Sequence, residues 1–160
     1  MAPLIVLFAV LLVLFLARAL GVPALRHASW VLFVRWSLAA MFLLTASAHF
    51  GTRRTDLVRM VPDVFPNPEL LVTLTGVAEL AGAVGLLIPR LAPYAASGLA
   101  LLLVAMFPAN VHAAREHLSI GGQPVTPLVP RTLMQLFFIV YTLIAGFWPL
   151  HARGATTRQV

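Results

Sequence analysis

A single carboxylate in the middle of a long apolar stretch is the side chain of this sequence best suited to chemistry. Residues 69–88 are apolar or small apart from Glu69 itself and Thr73, Thr75 and Glu79. The stretch matches the roughly 20 residues that cross a bilayer, and Glu79 falls near its midpoint, where a carboxylate is most costly. Such a group faces protein or water, and it can bind the polar head of a ligand or exchange a proton.

Four further polar side chains occupy apolar runs and extend this candidate site. His49, Asn110 and Gln135 lie near the ends of their runs that adjoin the two long loops. We expect them to line the mouth of a cavity whose base is Glu79, and we include Arg35, near the start of its run. The predicted ligand-binding residues are therefore Glu79, His49, Asn110, Gln135 and Arg35.

A structural role is the alternative for two of these residues. Arg35 and Glu79 differ in depth by roughly 8 Å at 1.5 Å of rise per residue, a gap that an arginine side chain nearly spans. An ion pair between them would fix the packing of two helices and is compatible with ligand binding. For His49, the alternative is a hydrogen bond to a loop carbonyl.

Metal and catalytic sites are not predicted. His49, Glu79 and His112 carry donors that a transition metal accepts, but helix rise separates His49 from Glu79 by about 15 Å. The sequence contains no Gly-rich phosphate loop, no paired carboxylates in one run and no nucleophile with a base at motif spacing. It also contains no cysteine, so a redox role would require a bound cofactor or a partner.

Composition identifies an integral membrane protein. The 160 residues are 61% hydrophobic and 10% charged, with a mean hydropathy of +0.95, whereas soluble domains carry about 25% charged residues. The net charge of +6 comes from arginines, which lie at the ends of apolar runs, where such residues set membrane orientation. The predicted partner is the lipid bilayer, and nucleic acid is not expected.

Five membrane spans are predicted, all helical. They cover residues 4–16, 30–50, 69–88, 91–114 and 131–149. No positive charge precedes the first run as it would in a signal peptide, so we interpret this run as a retained span rather than a cleaved leader. The predicted organisation is an N-terminal helix and linker (1–28), a four-helix membrane bundle (29–150) and a polar basic tail (151–160).

Helical periodicity predicts which faces of two spans contact protein. On the second span the polar stripe comprises Arg35, Phe42, Thr45 and His49. On the third span, small residues surround the acid, which permits close helix packing; this face comprises Thr75, Gly76, Glu79, Gly82 and Ala83.

The loops carry their own signals. Thr55 is predicted to cap a short amphipathic helix that runs to Met60 and lies at the membrane interface. Asn67 and Pro68 are predicted as the N-cap and first residue of the third span. A turn is expected at Gly121-Gly122, and Pro108 should kink the fourth span.

Several of these segments together resemble the DoxX-like family, over roughly residues 31–150. The segments are Ala48-His49-Phe50, Pro62 and Pro66, Gly76-Val77-Ala78-Glu79-Leu80-Ala81-Gly82, Gly85-Leu86-Leu87-Ile88-Pro89, Phe107-Pro108-Ala109-Asn110 and Arg131-x-x-x-Gln135. The resemblance implies a four-helix membrane bundle associated with sulfur-compound oxidation and quinone reduction, and hence quinone as a cofactor. The additional first span and the lack of cysteine depart from that pattern.

Two classes of function follow as expectations. The first is a redox-linked accessory subunit that binds a quinone- or lipid-like ligand in its bundle beside a membrane redox enzyme. The second is a non-enzymatic scaffold or assembly factor for another membrane protein, with a homo-oligomer as a further possibility. A transporter is less favoured because the sequence shows no inverted repeat.

A bacterial-type plasma (inner) membrane is expected, with the N-terminus outside and the C-terminus cytoplasmic. The arginine counts of the two sides, six inside against five outside, nearly balance under the positive-inside rule. The cytoplasmic C-terminus that the DoxX-like resemblance implies decides the orientation. The inner arginines are Arg18, Arg26, Arg35, Arg90, Arg153 and Arg158, and the outer ones are Arg53, Arg54, Arg59, Arg115 and Arg131.

Overall fold

The structure is a computed structural model that describes residues 2–148. The chain is an all-α polytopic membrane protein, with five helical segments long and apolar enough to cross a membrane. This confirms the predicted four-helix bundle with an additional N-terminal span. The helices are α1 (Ala2–Ala19), α2 (Trp30–Phe50), α3 (Arg54–Met60), α4 (Pro68–Leu87), α5 (Ala92–Ala105), α6 (Phe107–Arg115) and α7 (Leu128–Phe147). The predicted basic tail and the end of the fifth span at Pro149 lie outside the described residues.

Helices α2, α4, α5 and α7 form the bundle. The pairs α2–α4, α4–α5 and α5–α7 pack along most of their lengths, and α7 closes the ring against α2. Their shared core includes Leu38, Phe42, Leu86 and Leu99, all of which are buried. Helix α1 packs on the outer side of α2, where the rings of Phe15 and Phe33 meet at 5.2 Å between centroids.

The lipid-facing surface consists of large apolar side chains, as a membrane bundle requires. Leu101 is 70% exposed and Val129 is 71% exposed, and no water-soluble fold would leave so many such residues uncovered. In α1 only Leu7 is buried. These exposures agree with the integral membrane assignment from composition.

Two helix starts differ in detail from the prediction. Asn67 does occupy the N-cap of α4, and Pro68 is the first helical residue. The backbone of Asn67 is left-handed (φ 53°), however, and its side chain makes no capping hydrogen bond. The cap assigned to Thr55 is wrong, because α3 begins at Arg54 with Arg53 as its N-cap. Helix α7 begins at Leu128, earlier than predicted, since Pro130 is tolerated in the first turn.

The fourth span is divided where Pro108 was expected to kink it. Helix α5 ends at Ala105 and α6 begins at Phe107, because Pro108 lacks the N–H that would bond the carbonyl four residues earlier. After α6, a hairpin pairs β1 (Ser119–Ile120) with β2 (Gln123–Pro124) through the predicted turn at Gly121-Gly122. The backbone N–H of Gly121 donates to Asp56 Oδ2 of α3 at 2.8 Å, so the two loops are joined.

Candidate functional site

A buried histidine–glutamate pair joins the end of α2 to the middle of α4. The distance from His49 Nε2 to Glu79 Oε2 is 3.7 Å, and the two side chains are only 5% and 4% exposed. Both belong to helices that cross the membrane. The His49 end of the stripe predicted on α2 therefore meets the Gly76–Glu79 part of the face predicted on α4, and two predicted site residues come together there.

Gly76 makes the approach possible. It lies on α4 one turn before Glu79, and a Cβ atom built there would be 2.6 Å from His49 Cβ. The predicted separation of about 15 Å is wrong because it placed the ends of α2 and α4 at equal depth. The structure instead seats the end of α2 against Val72 and Gly76, which lie within α4.

The second ring nitrogen of His49 fixes its tautomer. His49 Nδ1 lies 2.7 Å from the carbonyl oxygen of Val72, so it carries a hydrogen and donates it, because a carbonyl oxygen only accepts. In the neutral ring, Nε2 is then an acceptor, and it faces the carboxyl group of Glu79. The alternative predicted for His49 is thus wrong in one respect, since the carbonyl belongs to helix α4 and not to a loop.

The pair can hold one further proton on either of its two groups. Either Glu79 is the acid, or His49 is an imidazolium beside a carboxylate; at 3.7 Å the two groups are close enough for an ion pair and too far apart for a hydrogen bond. Both forms have zero net charge, which a membrane interior favours over a lone carboxylate. The pair can therefore present either a donor or an acceptor to a third group without changing its total charge.

The carboxyl oxygen of Glu79 that faces His49 Nε2 makes no hydrogen bond among the described residues. This atom, Oε2, is buried. The hydroxyl of Thr45 lies beside the carboxyl group, but it donates to the carbonyl of Phe42 at 3.0 Å. A buried acceptor without a donor costs about 1–3 kcal/mol, and a ligand hydroxyl would remove that cost.

Arg35 does not pair with Glu79, so the predicted ion pair is wrong. Its Nε donates to the carbonyl of Ala145 at 2.7 Å and its Nη2 to that of Gly146 at 3.4 Å. These carbonyls belong to the last turn of α7, where they have no partner within the helix and where the helix dipole attracts a cation. Arg35 lies roughly 21 Å along α2 from His49 by helix rise, and its role as a ligand residue stays a prediction.

Asn110 and Gln135 meet in a second polar cluster. Asn110 Nδ2 donates to Gln135 Oε1 at 2.8 Å, and Gln135 Nε2 donates to the carbonyl of Leu103 at 2.6 Å. Arg131 belongs to the same cluster, since its Nε and Nη2 donate to Asn110 Oδ1 at 3.0 and 2.7 Å. The sequence placed Arg131 in a motif with Gln135 but assigned it no site role.

Arg54 is a second residue that sequence reasoning missed. It donates to the carbonyl of His49 at 3.0 Å, to that of Glu69 at 3.1 Å and to the hydroxyl of Thr73 at 2.9 Å. It therefore ties α3 to the end of α2 directly beside the pair. A basic loop was visible in the sequence, but nothing in it distinguished Arg54 from its neighbours Arg53 and Arg59.

No group of three or more His, Cys, Asp or Glu side chains suited to a metal occurs within residues 2–148. His112 accordingly does not join His49 and Glu79. The chemistry that the described residues support is hydrogen bonding and proton exchange at the pair.

Comparison with known families adds one result. Residues 38–146 match the family described as Domain of unknown function (DUF8561). The chain belongs to the DUF8561 family. The match contains His49, Glu79, Asn110 and Gln135, and it excludes Arg35 and the whole of α1. No curated protein and no solved structure matches the chain.

Proposed function

We propose that this chain is a DoxX-like integral membrane subunit that binds a quinone- or lipid-like ligand inside its bundle and serves a membrane redox enzyme. The observation that carries the proposal is the His49–Glu79 pair, buried in two membrane spans with one carboxyl oxygen unbonded. Buried ionisable groups in membrane spans are costly, and they commonly mark ligand sites or proton paths.

The shared proton of the pair suits a ligand with a small polar head. As an acid, Glu79 donates to a ligand carbonyl; as a carboxylate beside an imidazolium, it accepts from a ligand hydroxyl. A quinone offers the first group and a quinol or isoprenoid alcohol offers the second. A binding site with apolar walls and a few convergent polar groups is typical for such molecules.

In this proposal the ligand enters from the end of the bundle that carries α3 and the β1–β2 hairpin. Glu79 forms the base of the binding cavity, and Asn110 and Gln135 lie nearer its mouth. Two contacts support a covered entrance: α3 is tied to α2 and α4 through Arg54, and to the hairpin through Asp56. These contacts would hold α3 over the entrance and so retain a hydrophobic ligand.

We further propose that the protein lies in a bacterial-type plasma membrane with its N-terminus outside and its C-terminus in the cytoplasm. The side that carries α3 and the hairpin would then face outward. Two arginines counted for the inner side, Arg153 and Arg158, lie outside the described residues.

Native mass spectrometry of the full chain, released gently in detergent, tests the binding proposal. We expect a stoichiometric adduct whose mass corresponds to a quinone or lipid and which dissociates on activation. A preparation that carries a stoichiometric protein partner and no small-molecule adduct would contradict the proposal and favour the scaffold alternative.

A further inference from the structure

Four arginines among residues 2–148 donate hydrogen bonds only to neutral acceptors. Arg18 is exposed, and two of the other three have a structural explanation. Arg35 donates to carbonyls in the last turn of α7, and Arg54 donates to the carbonyl of His49 in the last turn of α2. The C-terminal end of a helix carries partial negative charge and unpaired carbonyls. Each of these two cations therefore lies at the negative end of a helix, although Arg35 Nη1 is buried without a hydrogen-bond partner among the described residues.

Arg131 lacks such compensation. It lies in the first turn of α7, the positive end of that helix, where a cation is disfavoured. Its side chain is partly buried, and no carboxylate lies within 4.0 Å of it among residues 2–148. The fold has thus placed a guanidinium where both desolvation and the helix dipole oppose it.

The contacts of Arg131 hold it in one orientation. Both Nε and Nη2 donate to Asn110 Oδ1, and Asn110 is itself held by Gln135, which donates to the carbonyl of Leu103. The acceptors in this series of hydrogen bonds are neutral amide and carbonyl oxygens, so none of them supplies a negative charge to Arg131. The remaining guanidinium N–H groups are left for another acceptor, and a fixed guanidinium fork binds carboxylate or phosphate oxygens well.

The position of Arg131 on α7 shows which way the site faces. Residues 131, 135 and 142 share one helical face, and Gln135 and Thr142 are both buried. The exposed face of α7, with Val129 and Leu133, lies on the other side. Arg131 therefore lies at the loop-side mouth of the bundle interior rather than on the outer lipid surface.

We propose that Arg131 binds the anionic head, a carboxylate or phosphate, of an amphiphile whose apolar tail enters the bundle. This rests on the proposed function, because it assumes that the bundle admits an amphiphile, and it adds an anionic head-group site at Arg131 that is separate from the His49–Glu79 pair. The site is the side-chain cluster of Arg131 with Asn110 and Gln135. The anion would supply the negative charge that the described part of the chain does not place there.

The test measures thermal unfolding of the full chain in a neutral detergent with three probes. These are dioleoyl-phosphatidylglycerol, dioleoyl-phosphatidylcholine and inorganic phosphate. We expect phosphatidylglycerol to stabilise the protein at lower concentration than phosphatidylcholine, and inorganic phosphate to have no such effect. Arg131→Gln should weaken the apparent affinity for phosphatidylglycerol by about tenfold, as expected for one charge-assisted contact. The control Arg115→Gln removes an exposed arginine at the end of α6 and should leave the affinity unchanged.

A second variant keeps the test informative if Arg131→Gln does not fold. Asn110→Asp retains the acceptor for Arg131 but supplies a counter-ion, so it should also abolish the preference for phosphatidylglycerol. Equal affinity in the wild type, Arg131→Gln and Arg115→Gln would overturn the proposal, as would stabilisation by inorganic phosphate alone. Binding of a neutral quinone, decylubiquinone, measured on the same samples, separates the two claims. If quinone binds while the lipid preference is absent, the proposed function stands and the anionic head is rejected.

Discussion

His49 and Glu79 are held together by contacts on both sides of the imidazole ring. Nε2 lies 3.7 Å from the carboxyl group, and Nδ1 lies 2.7 Å from the carbonyl of Val72 on the same helix as Glu79. The ring therefore contacts about two turns of α4, from Val72 past Gly76 to Glu79. The orientation of the ring and the hydrogen on Nδ1 both follow from this arrangement.

The close approach at Gly76 gives the first prediction. Gly76→Ala should destabilise the protein by about 1–3 kcal/mol, the usual cost of overpacking, because the new methyl group would collide with His49. Gly98→Ala is the matched control: nothing lies within 4 Å of its Cβ position, and alanine favours the helix by about 1 kcal/mol. Thermal melts in detergent should move in opposite directions, and equal shifts would show that α2 and α4 do not meet at Gly76.

The tautomer of His49 gives the second prediction. Nitrogen-15 NMR of histidine-labelled protein should show Nδ1 of His49 protonated, because it donates to Val72. In Glu79→Gln the amide can donate to Nε2, so the neutral Nδ1–H form should persist. A neutral His49 with its hydrogen on Nε2 would refute the assigned hydrogen bond to Val72.

Arg35 and Glu79 should behave independently. Arg35→Met should cost about 1–3 kcal/mol, because it leaves two buried helix-end carbonyls without donors. In a double-mutant cycle with Glu79→Gln the losses should add within about 0.5 kcal/mol, as for sites without shared partners. A coupling energy well above that would indicate a contact between the two side chains that the structure does not contain.

Orientation is tested with reporter fusions. Alkaline phosphatase inserted at the Gly121-Gly122 turn should be active, since that turn lies on the side proposed to face outward. The same reporter inserted after Arg90, between α4 and α5, should be inactive. Activity of a fusion at the C-terminus, or reversal of the two insertions, would contradict the orientation.

Periodicity was sufficient to predict the faces but not the depth at which they meet. The polar stripe of α2 and the small-residue face of α4 both contact protein, because apolar and polar positions recur at helical spacing. The register of α2 against α4 depends on how His49 fits over Gly76, a packing relation that helix rise alone does not contain. The expected pairing of Arg35 with Glu79 was wrong for a related reason, since the unpaired carbonyls at the end of α7 become competing acceptors only after folding.

The second cluster shows the same limit. Asn110 and Gln135 were expected near one another because both lie toward the loop-side ends of their spans. Their direct hydrogen bond depends on the break between α5 and α6, which Pro108 indicated. It also depends on the orientation of α6 after that break, which helical periodicity does not give. Arg131 could have been selected as unusual from its place in the first turn of a helix, but its lack of a carboxylate partner required the folded arrangement.

Ligand retention by Glu79→Gln tests the central claim most directly. The variant keeps the side-chain volume and loses the ionisable carboxyl group. The bundle should therefore stay folded, while retention of the co-purified ligand, or of added decylubiquinone, falls about tenfold. Glu69→Gln is the matched control, because Glu69 is exposed in the first turn of the same helix. Native mass spectrometry of the three proteins should show the adduct in the wild type and Glu69→Gln and its loss in Glu79→Gln. Equal occupancy in all three would contradict a ligand bound at the His49–Glu79 pair.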